Sequence, residues 1–438
     1  MRRLQIWQAC LVEQLRLVIR VLVPAWSTIL RFSLLDLVLC LIPVLYLILA
    51  TRYHYLFSEW PLKAHFYYQN KHCITMSGLR VVPLLFVFVL LMAVVARFGR
   101  RGRTLPVLLL IVAISMQWAF SCLEGISGQR LSRTLIHPHF GHSEFVAIAH
   151  EDRNLSDIAT NYESLCRNDQ EFVFSKSKPP GQLLFYSITA RIFQVLRLEQ
   201  PFRVIADKFG FYKRDPLTSL GAFVTIMFSI FSCLPVLVLY KLGKVINDET
   251  LGEYCALTFI ACPAINLVTM HLDQVLYPLL VSLVLLCSVL AVQRHWAIAL
   301  IVSALVYLSV YISFSLLFVL PMIIVLWGSY FLLIPKMQPH LLKVSAVFTL
   351  GLLLCFVAFQ CILNFRLWAA YQRAIEFHAA WRNVTGLIGW RGNIRNTGYP
   401  LYSSGFLELS MISLYDLALC TTNCSTSRWK IFPTWRDR

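Results

Sequence analysis

Glu144, in "SEFVAIA", and Lys178, in "FVFSKSKPPGQLLFYSITARIF", are the two residues whose types and setting could do chemistry. They stand 178 − 144 = 34 positions apart. An aligned carboxylate can take a proton from a hydroxyl or an amine. Lys178 precedes two prolines, and proline suits a helix's first turn while pushing the residue before it out of helical geometry. The lysine is therefore expected at a helix entrance. Arg191 follows on the same expected helix, Asp273 sits in "MHLDQVLYP", and His142 lies two residues before Glu144. With His137, His139 and His150 near the same acid, a metal could be imagined. Their irregular spacing fixes no ligand geometry, so no metal is expected.

Something has to hold these residues, and composition says what. Of 438 residues, 58% are hydrophobic and 14% charged, which excludes an ordinary soluble domain. Apolar runs fit for helical spans occur at 33–50, 81–97, 105–122, 217–240, 254–272, 274–293, 297–313, 315–334 and 344–364. They are continuous rather than alternating, so an all-α multi-pass membrane protein is expected and a barrel is not. The net charge of +17 does not point to nucleic acid, because the basic residues flank apolar runs and form no basic domain. The thirteen cysteines show no metal-type spacing and no disulfide framework, although one bridge among Cys73, Cys122, Cys166, Cys420 and Cys424 is left open.

The charges also orient the chain. Arg2, Arg3, Arg16, Arg20 and Arg31, then Arg97, Arg100, Arg101 and Arg103, and later Lys336 and Lys343 all fall in the cytoplasm if the N-terminus does. Residues 123–180, which carry eight of the 22 acids, then face outward. Within them "SEFVAIAHE" has helical spacing, with Phe145, Ile148 and Ala149 on one side. The stretch after the prolines is short for a span and carries Arg191 and Arg197, as an interfacial helix would. Three parts are expected: 1–104 with two spans and a basic loop, 105–364 as a helical module with outward loop 123–216, and an outward or membrane-associated 365–438. The triplets at Asn154, Asn383 and Asn423 fit the glycan acceptor pattern.

The two motifs together resemble the GT-C glycosyltransferases, and among these the aminoarabinose-type lipid A transferases and protein mannosyltransferases. That family carries Asp-Glu-x-x-Tyr-x-x-x-Ala in its first large outward loop and Lys-Pro-Pro or His-Pro-Pro some thirty-odd residues later. A third likeness is "ACPAINLVTMHLDQVLYPLLVSLVLL", similar to the family's Asp-x-x-Leu segment between two helices. The resemblance covers roughly residues 105–300, and Ser143 stands where the family has its first acid.

The resemblance implies a GT-C-like helical bundle that transfers a sugar, with inversion, from a polyprenyl-phosphate donor to a glycan, lipid or protein acceptor on the extracytoplasmic or lumenal side. Glu144 would be the base. Lys178 with Arg191 would meet the phosphate leaving group, with Arg382 and Arg391 as further cations. Asp273 and His142 would orient the site. No cofactor is expected beyond the lipid-linked donor, the expected partners are membrane lipid, donor and acceptor, and the location is an inner or plasma membrane, or the endoplasmic reticulum of a eukaryote. Two rivals are a transporter or flippase of a lipid-linked substrate and a catalytically silent GT-C-like protein.

Overall fold

The computed structural model describes residues 104–122, 127–138, 142–151, 153–168, 174–262 and 270–384, with 87, 90 and 91. All lie within one compact unit that takes in His72–Gly386. The expected spans at 33–50 and, for all but three residues, 81–97 lie outside this description, as do His139, Arg391 and Asn423. The side chains of Asp273 and Arg382 lie outside it too.

Among the described residues the fold is helical, with no strand. The helices are α1 (Leu105–Cys122), α2 (Ser127–Ile136), α3 (His142–His150), α4 (Leu155–Thr160), α5 (Tyr162–Asn168), α6 (Pro180–Val195), α7 (Glu199–Lys208) and α8 (Thr218–Cys233). Then come α9 (Pro235–Ile246), α10 (Glu249–Ala261), α11 (Leu272–Gln293), α12 (Ile298–Ile312), α13 (Val319–Leu333), α14 (Gln338–Leu363) and α15 (Leu367–Val384).

Four stretches are long and apolar enough to cross a bilayer: Thr218–Ile246, Gln274–Gln293, Phe314–Leu333 and Pro335–Leu363. Their length and composition suit a membrane protein. On the last of them Leu350, Leu353, Leu354, Val357 and Ile362 are all more than half exposed. Such a row is tolerable in lipid and costly in water.

The expected span 217–240 runs further, as α8 and α9 joined at Leu234. Pro235 opens α9, where its missing N–H costs nothing. The expected span 254–272 differs more. Its helix begins earlier, capped by Asp248 on the Leu251 N–H, and stops at Ala261. Cys262 is extended (φ −67°, ψ 117°), as the following Pro263 demands.

α9 and α10 are pressed together at a pair of glycines. A Cβ at Gly243 would come 2.6 Å from the Gly252 nitrogen, and one at Gly252 would come 2.5 Å from the Tyr240 carbonyl oxygen. Backbone cannot give way there as a flexible side chain can. Gly243→Ala should therefore cost about 1–3 kcal/mol through overpacking, seen as a lower melting temperature of the purified protein in detergent. An unchanged melting temperature would mean that the two helices part freely.

Hydrogen bonds identify the two ends of the bundle. At one end Tyr277, near the start of α11, pairs with Ser313 just past α12, and the Asn364 amide after α14 donates to the Thr160 carbonyl (3.2 Å). At the other end the Gln293 amide meets the Tyr330 hydroxyl (3.3 Å), and His340 Nε2 lies 3.1 Å from the Ala291 carbonyl oxygen. Lys336 and Lys343 belong to this second end, and the acid-rich segment belongs to the first.

Candidate functional site

α3 forms where the apolar spacing predicts it, with Phe145, Val146, Ile148 and Ala149 buried. The Phe145 ring stacks flat on Tyr186 of α6 at 5.6 Å, and Tyr186 in turn meets Phe228 of α8. This packing fixes the α3 backbone and lets Glu144 emerge beside the segment that leads into α6.

Glu144 grips that segment directly. The Phe174 N–H donates to its Oε2 (2.6 Å), and the Ser175 N–H (3.0 Å) and hydroxyl (2.6 Å) donate to its Oε1. The residues held this way open a single 3₁₀ turn, Ser175–Ser177, which the Lys178 N–H closes on the Ser175 carbonyl (3.0 Å). Lys178 Nζ lies 5.6 Å from the Phe174 ring centroid. Pro179 is extended (φ −73°, ψ 163°) and Pro180 is the first residue of α6. Glu144, on α3, is thus bonded to the 3₁₀ turn that leads into Lys178 at the head of α6.

Two more groups clamp the same turn. The Tyr162 hydroxyl donates to the Ser175 carbonyl (2.9 Å) and reaches that of Lys178 (3.4 Å). Arg373, from α15, donates through one guanidinium nitrogen to the Lys178 carbonyl (3.1 Å) and through the other to Glu163 (3.0 Å). Its guanidinium carbon stands 5.1 Å from the centroid of the Tyr162 ring. Burial raises the hydroxyl of Tyr162 well above its ordinary range, so it remains a donor. Burial likewise pushes the Cys166 thiol up to about 11. Cys166 is a free, buried cysteine, not half of a bridge. Asn154, part of one glycan acceptor triplet, uses its side-chain oxygen to cap α4 on the Ser156 N–H (2.9 Å).

In the pair of Glu163 with Arg373, burial has the larger effect on the acid. Its pKa is raised because desolvation outweighs the attraction of Arg373 and Arg167. A buried acid with a raised pKa favours folding while protonated, and this gain is lost as pH rises through the folded value. Glu163→Gln keeps an oxygen for Arg373 and removes the desolvated charge. It should leave the melting temperature at neutral pH unchanged or higher and flatten the parent's gain in stability on mild acidification. A marked loss at neutral pH would show that the ion pair outweighs the cost of burying the charge.

His142 is buried, and its ring stacks on His271 with centroids 3.9 Å apart and planes 18° apart. It also lies 5.2 Å from Phe174. His271 directly precedes α11, so Asp273 stands in the first turn of that helix at the same end of the bundle. The amino ends of α3, α6 and α11 therefore meet around Glu144, Lys178 and His142. Three such ends present partial positive charge and favour an anion.

Arg191 is not brought there. It is exposed on α6, separated from Pro180 by roughly 17 Å of helix rise. A cleft opens toward that end, between His150, Ala190, Arg197, Glu199 and Pro216, away from the clamped turn. Among the described residues no three His, Cys, Asp or Glu side chains gather as a metal set. Sequence reasoning missed Arg373, Tyr162 and His271. Only His271, two residues before Asp273, had a local signal.

No protein-family model matches the chain, and no curated protein or solved structure matches it.

Proposed function

We propose that this chain is a membrane glycosyltransferase of GT-C type, which moves a sugar from a polyprenyl-phosphate donor to an acceptor at the extracytoplasmic or lumenal face. The observation that carries the reading is the Glu144 carboxylate bonded to the turn that ends in Lys178. A proton acceptor and a cation are held together there, at a meeting of helix amino ends, and at the bundle end opposite Lys336 and Lys343.

The chemistry assigns roles to this arrangement. Glu144 takes the proton of the attacking hydroxyl or amine as the new glycosidic bond forms. The bond from the anomeric carbon to the phosphate oxygen breaks, and the electron pair leaves with the phosphate. Lys178 and the helix amino ends offset the charge that builds there. Arg373 acts through the Lys178 carbonyl, so it is a positioning residue. His142 and His271 form one wall of the site.

The donor's tail has an apolar path along the exposed side of α6, leading away from the site. Ile188, Ile192, Val195 and Leu196 on α6 and its end, with Trp368 and Ile375 on α15, are apolar and at least two-fifths exposed. They suit the lipid interface, where an isoprenoid chain can remain while its phosphate reaches Lys178.

Mass spectrometry of lipid bound to the purified protein tests the reading. A polyprenyl phosphate or its glycoside should co-purify, or load when undecaprenyl phosphate is supplied in excess. A protein that takes up neither is not a polyprenyl-phosphate transferase.

A further inference from the structure

Gln182 is fully buried in the first turn of α6, and among the described residues neither its Nε2 nor its Oε1 has a hydrogen-bond partner. Buried amides are almost always satisfied, because an unmade bond forfeits the hydration the group had in the unfolded chain. Something beyond the described residues is expected to complete this one.

Register places it in the site. Gln182, Tyr186, Thr189 and Phe193 share the buried side of α6, while Ile188, Ile192 and Val195 lie on its exposed side. Tyr186 stacks on Phe145. Further along, His150 lines one cleft with Ala190, Phe193 and Gln194. α3 and α6 therefore run side by side in the same direction. One turn back from the Phe145–Tyr186 stack, α3 carries His142 and α6 carries Gln182. By register Gln182 is thus level with His142, the residue that stacks on His271, and it lies four positions after Lys178 at the head of the same helix.

It is also held there. A Cβ at the adjoining Gly181 would come 2.4 Å from the Tyr311 carbonyl oxygen, so the head of α6 lies directly on the end of α12. The helix cannot turn Gln182 away without losing that contact.

We propose that Gln182 is the sugar-reading residue of this transferase, binding ring hydroxyls of the donor through its side-chain amide. The proposal rests on the transferase reading and names the part of the donor that this residue recognises. An amide offers one acceptor oxygen and two N–H donors. A phosphate only accepts, so it would leave the amide oxygen unsatisfied, whereas hydroxyls both donate and accept. Lys178 and the helix ends take the phosphate, and Gln182 takes the neutral, hydroxyl-bearing ring beyond it.

The test uses the full chain in lipid nanodiscs, with tryptophan fluorescence following the binding of undecaprenyl phosphate and of its glucose, mannose and arabinose derivatives. The parent should bind at least one sugar lipid more tightly than undecaprenyl phosphate, by on the order of tenfold. Gln182→Met, close in shape and without hydrogen bonds, should erase that gain and leave affinity for undecaprenyl phosphate within about twofold, since no phosphate bond is lost. If the methionine variant does not fold, Gln182→Asn withdraws the amide by one methylene and allows the same comparison. A gain that survives in the variant overturns the proposal and leaves the transferase reading standing, with a buried water as the amide's partner. A parent that binds undecaprenyl phosphate but prefers no sugar lipid overturns it equally. A parent that binds none of the four lipids removes the transferase reading, and this proposal with it.

Discussion

Glu144→Gln is expected to slow sugar transfer by about 10²- to 10⁴-fold, the range for loss of a general base, with the protein still inserted in the membrane. The measurement is the discharge of a radiolabelled polyprenyl-phosphate sugar pool by membranes holding equal amounts of parent and variant. The glutamine oxygen can still accept from Ser175. Its amide nitrogen then faces the Phe174 N–H that Glu144 now receives, so the turn loosens as well.

Ser175→Ala separates the two effects. It deletes the hydroxyl bond to Oε1 (2.6 Å) and spares the carboxylate. If Glu144 only anchors the turn, both variants should fall by similar factors. If it takes the proton, the glutamine variant should be at least tenfold the worse, because a lost hydrogen bond of this kind costs about 1–2 kcal/mol. Undiminished transfer in Glu144→Gln would remove the residue from the mechanism.

Lys178→Ala has the second largest expected effect, a fall of about 10²- to 10³-fold in kcat/KM, typical of losing one group that stabilises developing charge. Because the backbone of residue 178 supplies the bonds to Ser175, Tyr162 and Arg373, the alanine variant should keep the turn and its melting temperature. Lys178→Arg should recover part of the activity, since it restores the charge in another shape. Equal activity in parent and alanine variant would show that the ammonium does not meet the leaving group.

The legible parts of the fold were those set by local pattern. The Phe145, Ile148 and Ala149 spacing read as a buried helical face, and α3 buries it. The two prolines read as a helix entrance, and Pro180 begins α6. The pairing of Glu144 with Lys178 in the sequence rests on the resemblance of their two motifs to the glycosyltransferase pattern, since a loop motif and a helix head can be matched without knowing the path between them. What stayed hidden depends on long-range packing. Arg373 reaches Lys178 across 195 positions, and no periodicity reports that. Arg191 was grouped with Lys178 because both flank one short segment, yet a helix carries neighbours in sequence steadily apart. The 254–272 run shows a third limit, because its hydropathy continues past Ala261, where the helix ends.

The grip of Arg373 on the Lys178 carbonyl also has a consequence for timing. A chain emerging from the ribosome delivers Glu144, Tyr162 and Lys178 early and α15 only after the four long apolar stretches have been made. Until then the lysine's backbone lacks its last fastening and Glu163 lacks its bond to Arg373. This end of the bundle is therefore completed only when the late helix docks, so a half-synthesised chain carries the acid and the lysine without the latch that sets them.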